Sequence, residues 1–134
     1  MNNSCLFVYG SLLRNQSNDM ARFLRAHSDY LGEGYFQGKL FNVSWFPGAV
    51  LSDRESDLVY GHVFRLKNEN KVFSVLDDYE GIGEAYEKPH LFKKVLVSVI
   101  LDRITELPCW VYLYNLSVDG LQQITSGNYL EFKK

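Results

Sequence analysis

Residues 30–43 read Tyr30-Leu31-Gly32-Glu33-Gly34-Tyr35-Phe36-Gln37-Gly38-Lys39-Leu40-Phe41-Asn42-Val43. Aromatic and aliphatic side chains favour a pleated, half-buried surface. Glycines inside such a run mark bulges or places where another backbone comes close. The stretch predicts two short strands with bulges or close approaches. Many short, glycine-broken strands favour a small curved sheet or barrel over a flat sheet.

Working outward, the upstream segment Cys5-Leu6-Phe7-Val8-Tyr9 is an apolar run that ends at Gly10. It predicts a buried strand and a sharp turn. Met20, Phe23 and Leu24 then fall at helical spacing, predicting an amphipathic helix from about Ser17 to about Ala26. Downstream, Phe46-Pro47-Gly48-Ala49 reads as a turn, Arg54-Glu55-Ser56-Asp57 as a charged loop and Leu58–Leu66 as a strand.

A second helix is predicted from Asn68, a good cap, to about Tyr79–Glu80. Val72, Val75, Leu76 and Tyr79 form its apolar face, and Gly81 stands where a C-terminal cap belongs. A loop through Gly83 and Tyr86 leads to Pro89. Then come two alternating strands. In the first, Val95, Val97, Val99 and Leu101 share a face. In the second, Cys109, Val111 and Leu113 oppose Trp110, Tyr112 and Tyr114, whose default place is the core, with pocket lining second. The tail from Leu121 to Phe132 has room for one helical turn. Six or seven strands and two helices, with strands clustered between and after the helices, give an α+β chain.

The 134 residues are expected to form a single domain, 1–134, and 46% hydrophobic content is enough for a core without staples. A net charge of −2 without a basic block argues against nucleic-acid binding. Cys5 and Cys109 lie in apolar runs and are expected as buried reduced thiols, although the sequence leaves a disulfide open. The three histidines are scattered and no Cys-x-x-Cys occurs, so no metal site is expected. No run approaches the ~20 apolar residues of a membrane span, and the N-terminus has no signal-peptide pattern. Cytoplasm is the expected location; the oligomeric state is left open.

Two segments carry chemistry. Backbone N–H groups of Tyr9-Gly10-Ser11-Leu12 can form an anion-binding nest, or the four residues can be a plain strand-ending turn. Leu76-Asp77-Asp78-Tyr79-Glu80-Gly81 places three carboxylates in four residues at a helix end. The bland reading is a solvated acidic terminus. The functional one notes that the negative end of the helix dipole, Asp77 and Asp78 all push a carboxyl pKa upward. A glutamate raised toward neutrality suits general acid–base catalysis. Glu80 lies off the apolar helical face and beside a glycine, and is the candidate.

These segments together resemble the γ-glutamylcyclotransferase-like family. Tyr9-Gly10-Ser11-Leu12 is similar to its opening YGSL loop, and Ser17-Asn18 with Ala21-Arg22-Phe23-Leu24 to its first helix. Gly38-x-Leu40, Phe46-Pro47-Gly48-Ala49 and Gly61 resemble its middle strands, and Leu76-Asp77-x-Tyr79-Glu80 followed by Tyr86 its catalytic segment. Trp110-Val111-Tyr112-Leu113-Tyr114-Asn115 and Ile124-x-Ser126-Gly127 resemble its tail. The branch most resembled is the AIG2-like, γ-glutamylamine cyclotransferase type. The chain departs from the family pattern at Gly61-His62, at Lys88 after Glu87 and at Gly127-Asn128-Tyr129.

The resemblance implies a small mixed β-barrel with flanking helices. It implies a reaction in which a γ-glutamyl amine or peptide cyclises to 5-oxoproline and releases its amine. Glu80 would be the catalytic acid–base, and Tyr9, Gly10, Ser11, Leu12 and Tyr86 would bind substrate. No cofactor is implied, and the only partner is the small-molecule γ-glutamyl substrate. Two alternatives stand beside it: the same fold acting on another γ-glutamyl or acyl compound, and a non-enzymatic small-molecule-binding protein.

Overall fold

The glycine-marked stretch is one strand rather than two. In the computed structural model, which describes residues 4–10, 18–44, 46–82 and 88–133, β2 (Ser28–Asn42) runs unbroken, with a register shift between Tyr30 and Gly32. Its later glycines do not end it; they let other backbones come close. A Cβ on Gly34 would lie 2.9 Å from the Ile100 carbonyl oxygen, and one on Gly38 would lie 2.5 Å from that of Val50.

Before β2 come β1 (Cys5–Val8) and α1 (Asp19–Ala26). After it come β3 (Pro47–Leu51), β4 (Leu58–Leu66), α2 (Glu69–Tyr79), β5 (Phe92–Leu101), β6 (Thr105–Tyr114), β7 (Gln122–Gln123) and α3 (Tyr129–Lys133). The expected turn at Phe46–Ala49 is therefore displaced. Pro47 opens a strand, opposite Asn42, and the reversal lies before it, where the Val43 N–H donates to the Phe46 carbonyl at 3.1 Å. Proline is tolerated at the first position of a strand, so the same residue served either reading.

The strands run in the order β3-β2-β4-β1-β6-β5, and β2 also pairs β5 through Gly34↔Leu101 and Tyr35↔Ile100. That last pairing closes β2, β4, β1, β6 and β5 into a five-stranded barrel. β1 and β6 are parallel and the other pairs are antiparallel, so the barrel is mixed. The far end of β2 leaves the barrel and carries β3 and β7. The fold is α+β, as expected.

β1 sits between β4 and β6, and all four of its residues are buried, which explains its unbroken apolar run. Phe7 meets Phe36 edge to face, with ring centroids 5.3 Å apart. The helices follow their local signals. Asn18 caps α1 by accepting from the Ala21 N–H at 2.8 Å, and Leu24 is fully buried. In α2, Val72 and Leu76 are buried, but Tyr79 is 43% exposed and does not belong to the core face. Phe73 packs against the core instead, edge to face with Trp110. Tyr112 and Tyr114 are both buried. Among the described residues no helix is long and apolar enough to cross a membrane.

Both cysteines are free and buried. Burial, then the neighbouring Cys5, pushes the Cys109 thiol up to about 12. A thiol held protonated and out of solvent is a poor nucleophile. Cys5 and Cys109 are therefore expected to resist a maleimide in the native protein and to react together once it is unfolded. Labelling of either at the rate of a free thiol in native buffer contradicts their placement.

Candidate active site

Four pieces of backbone end around one cavity. β1 delivers Tyr9 and Gly10, β3 begins with Pro47, α2 is capped by Glu80, and Leu91 leads into β5. Together with Phe46, Phe92 and Tyr112 they enclose about 260 Å³. Its walls are mostly apolar, which is the usual make-up of a small-molecule site. Gly10 packs so near β3 that a Cβ there would lie 2.7 Å from Pro47 Cγ.

The position of Glu80 follows from how α2 stops. Gly81 takes φ +74°, its N–H donates to the Asp78 carbonyl at 3.1 Å, and the Ile82 N–H donates to the Asp77 carbonyl at 2.8 Å. This is a Schellman cap, which suits glycine because the left-handed conformation strains a residue with a Cβ. The chain reverses immediately after Glu80, so its side chain is presented at the cavity rather than along the helix flank.

The Glu80 carboxyl is raised from 4.5 to about 7, first by burial and second by the charge of Asp77. This sharpens the sequence reading and corrects its causes. The largest is desolvation by walls that come from distant segments. Asp78, expected to contribute, is exposed, and the shift comes from burial and Asp77 instead.

Asp77 is itself held from across the barrel. Tyr112 Oη donates to it at 2.6 Å and Lys94 Nζ donates at 3.0 Å. Lys94 also lies 4.0 Å from the centroid of the Phe73 ring. Sequence reading missed this group. Its signal was present, because Lys94 and Tyr112 are cross-strand neighbours in the β5–β6 register. Aligning the two alternating segments as a hairpin would have paired them.

Tyr9 lines the cavity, but its hydroxyl is engaged with the scaffold. It donates to the Tyr112 carbonyl at 2.6 Å and accepts from the Ala49 N–H at 3.2 Å. Burial and the nearby Glu80 keep it well above the usual phenol range. The Tyr112 hydroxyl is likewise pushed up, by burial and then by its bond to Asp77. Both phenols therefore stay protonated. Of the residues expected to meet substrate, Tyr9, Gly10 and Glu80 converge here, whereas Ser11, Leu12 and Tyr86 lie outside the described residues. Phe46, Pro47, Leu91 and Phe92 join the cavity without having been expected there. Among the described residues, no cluster of three His, Cys, Asp or Glu side chains is arranged to hold a metal ion.

The family model described as gamma-glutamyl cyclotransferase, AIG2-like, matches residues 6–131. The chain belongs to that family. It is 28% identical to the gamma-glutamylcyclotransferase family protein YtfP of Escherichia coli K12, over 96% of this chain and 98% of that one. The solution structure of E. coli ytfP superimposes with a TM-score of 0.65 at 27% identity, covering 97% of this chain and 99% of that one. YkqA from Bacillus subtilis shares the fold, with a TM-score of 0.70 at 24% identity over 99% of this chain. This chain spans only 44% of the YkqA chain. Within the family, this chain presents one carboxyl, Glu80, among the described residues lining its cavity.

A raised carboxyl has a consequence for stability. Between 4.5 and about 7 the folded chain holds a proton on Glu80 that the unfolded chain has lost. The stabilisation is full below the lower value and fades as pH rises through the upper one. Glu80→Gln, which carries no charge at any pH, should therefore be more stable than wild type well above pH 7, by at most about 3 kcal/mol. Well below pH 4.5 the advantage should vanish. Urea unfolding of both proteins at the two ends of that range measures the difference. An advantage that does not change with pH contradicts the burial of this carboxyl.

Proposed function

We propose that the chain is an intramolecular cyclotransferase of the γ-glutamylamine type. It converts a γ-glutamyl amine or peptide to 5-oxoproline and a free amine, with Glu80 as general acid–base. The observation that carries this reading is a carboxyl raised to about 7, alone among the described residues lining an apolar cavity of substrate size. Family membership supplies the reaction class.

The substrate carries its own nucleophile, its α-amino group. Glu80 takes a proton from that amine, whose nitrogen attacks the γ-carbonyl carbon. The ring closes with a new C–N bond, the amide C–N bond breaks, and Glu80 returns the proton to the departing amine. No water, metal or redox partner enters the balance. A carboxyl titrating near neutrality can act as base and then as acid, a role commonly worth ~10²–10⁴-fold. Holding the flexible γ-glutamyl chain in a ring-closing pose can supply up to ~7–11 kcal/mol.

The remaining contacts belong to the same proposal. Gly10, Ser11 and Leu12 offer backbone N–H groups to the substrate carboxylate or the developing oxyanion. Tyr9 meets substrate with its ring, since its hydroxyl is engaged with Ala49 and Tyr112. Tyr86 is assigned to substrate binding as part of the same reading. The cytoplasm, a reducing compartment, suits the two unpaired cysteines.

Release of 5-oxoproline from a panel of γ-glutamyl amines and peptides tests this reading. Wild type should form it, and Glu80→Gln should lose ~10²–10⁴-fold in kcat/KM. Because the base must be ionised, wild-type kcat/KM should climb as pH rises through about 7. Asp77→Asn removes the like charge, so that limb should move to lower pH. Equal activity of wild type and Glu80→Gln overturns the assignment. A tightly retained ligand with no turnover favours a binding protein instead.

A further inference from the structure

We infer that the amine released at this site carries an uncharged, apolar substituent, aromatic or branched aliphatic, rather than an amino-acid carboxylate or ammonium. The inference rests on the cyclotransferase reading. It comes from asking which polar groups of the cavity remain for the substrate.

The γ-glutamyl head itself brings a carboxylate, an amine and a carbonyl. Among the described lining residues, Glu80 is needed for the amine, and the backbone at Gly10 is offered to the carboxylate or the carbonyl. Two of the three phenols that line it are engaged elsewhere. Tyr9 bonds the Tyr112 carbonyl and Ala49, and Tyr112 bonds Asp77. Lys94, beside the site, is matched by Asp77 at 3.0 Å. Among the described side chains of the cavity there is no cation to answer a carboxylate on the leaving amine and no second carboxyl to answer an ammonium.

What remains is apolar. Phe46 and Phe92 pack with centroids 5.9 Å apart on one wall. Tyr79 and Leu91 are 43% and 44% exposed, and both line the cavity. Large apolar side chains left half in water at a cavity lose that exposure when an apolar substituent covers them. A charged substituent would give up hydration there and gain no partner.

The test compares four amides that share the γ-glutamyl head. Two are apolar, the benzylamide and the isobutylamide; two are charged, γ-glutamylglycine and Nε-(γ-glutamyl)lysine. Formation of 5-oxoproline is followed for each. The apolar pair is expected to exceed the charged pair by at least ~10-fold in kcat/KM. Equal or higher values for the charged pair overturn the inference and leave the reaction standing. No 5-oxoproline from any of the four overturns the reaction itself, and the inference with it.

Leu91→Asp supplies a second reading. It should raise the rate on the lysine compound relative to the benzylamide, because a carboxylate now meets the substituent. Loss of folded protein would lower both rates and leave the ratio alone. Ile104→Asp, at an exposed residue outside the cavity, should not move the ratio. An unchanged ratio in Leu91→Asp protein whose circular dichroism matches that of wild type overturns the placement of the substituent against this wall.

Discussion

The parallel pairing of β1 with β6 orders the rest of the molecule. A parallel neighbour cannot follow through a tight hairpin, so the intervening chain must travel round the barrel before β6 returns to β1. On the way it supplies β2, β4 and β5, which close the ring. The same pairing brings the end of β1 beside Tyr112, where the Tyr9 hydroxyl ties the Tyr112 carbonyl to the Ala49 N–H of β3. One buried phenol thus links three strands at the floor of the cavity. Without that floor, α2 would end over solvent and Glu80 would be an ordinary surface carboxylate.

The site shows a conflict between folding and chemistry. Burying a carboxyl without a cation of its own is unfavourable in the charged form. The scaffold directs Lys94 to Asp77 rather than to Glu80. Asp77 then raises Glu80 instead of relieving it. Such an arrangement weakens the fold at neutral pH, and in the proposed reaction it poises a proton for transfer. Strain of this kind is expected where a group is kept for function.

Local features were legible in the sequence, and distant ones were not. The α2 cap could be read because Gly81 sits one residue past the C-cap Glu80, a relation that needs no tertiary partner. The bounds of β4 matched the apolar segment Leu58–Leu66 for the same reason. The glycines of β2 misled, since glycine marks a turn and a close approach alike. Only the Ile100 and Val50 carbonyls, far along the chain, distinguish them. Tyr79 fitted the helical face by spacing, yet α2 ends where the core does, so it emerges at the cavity mouth. Glu80 was legible as a candidate, but the main cause of its shift was not. Its desolvation comes from walls drawn from β1, β3 and β5.

The account depends on Glu80 titrating near neutrality in the folded protein. Its side-chain carboxyl can be followed by ¹³C NMR across pH, assigned by its loss in Glu80→Gln. The account predicts a midpoint of about 7. A midpoint at the ordinary glutamate value of 4.5 would contradict it.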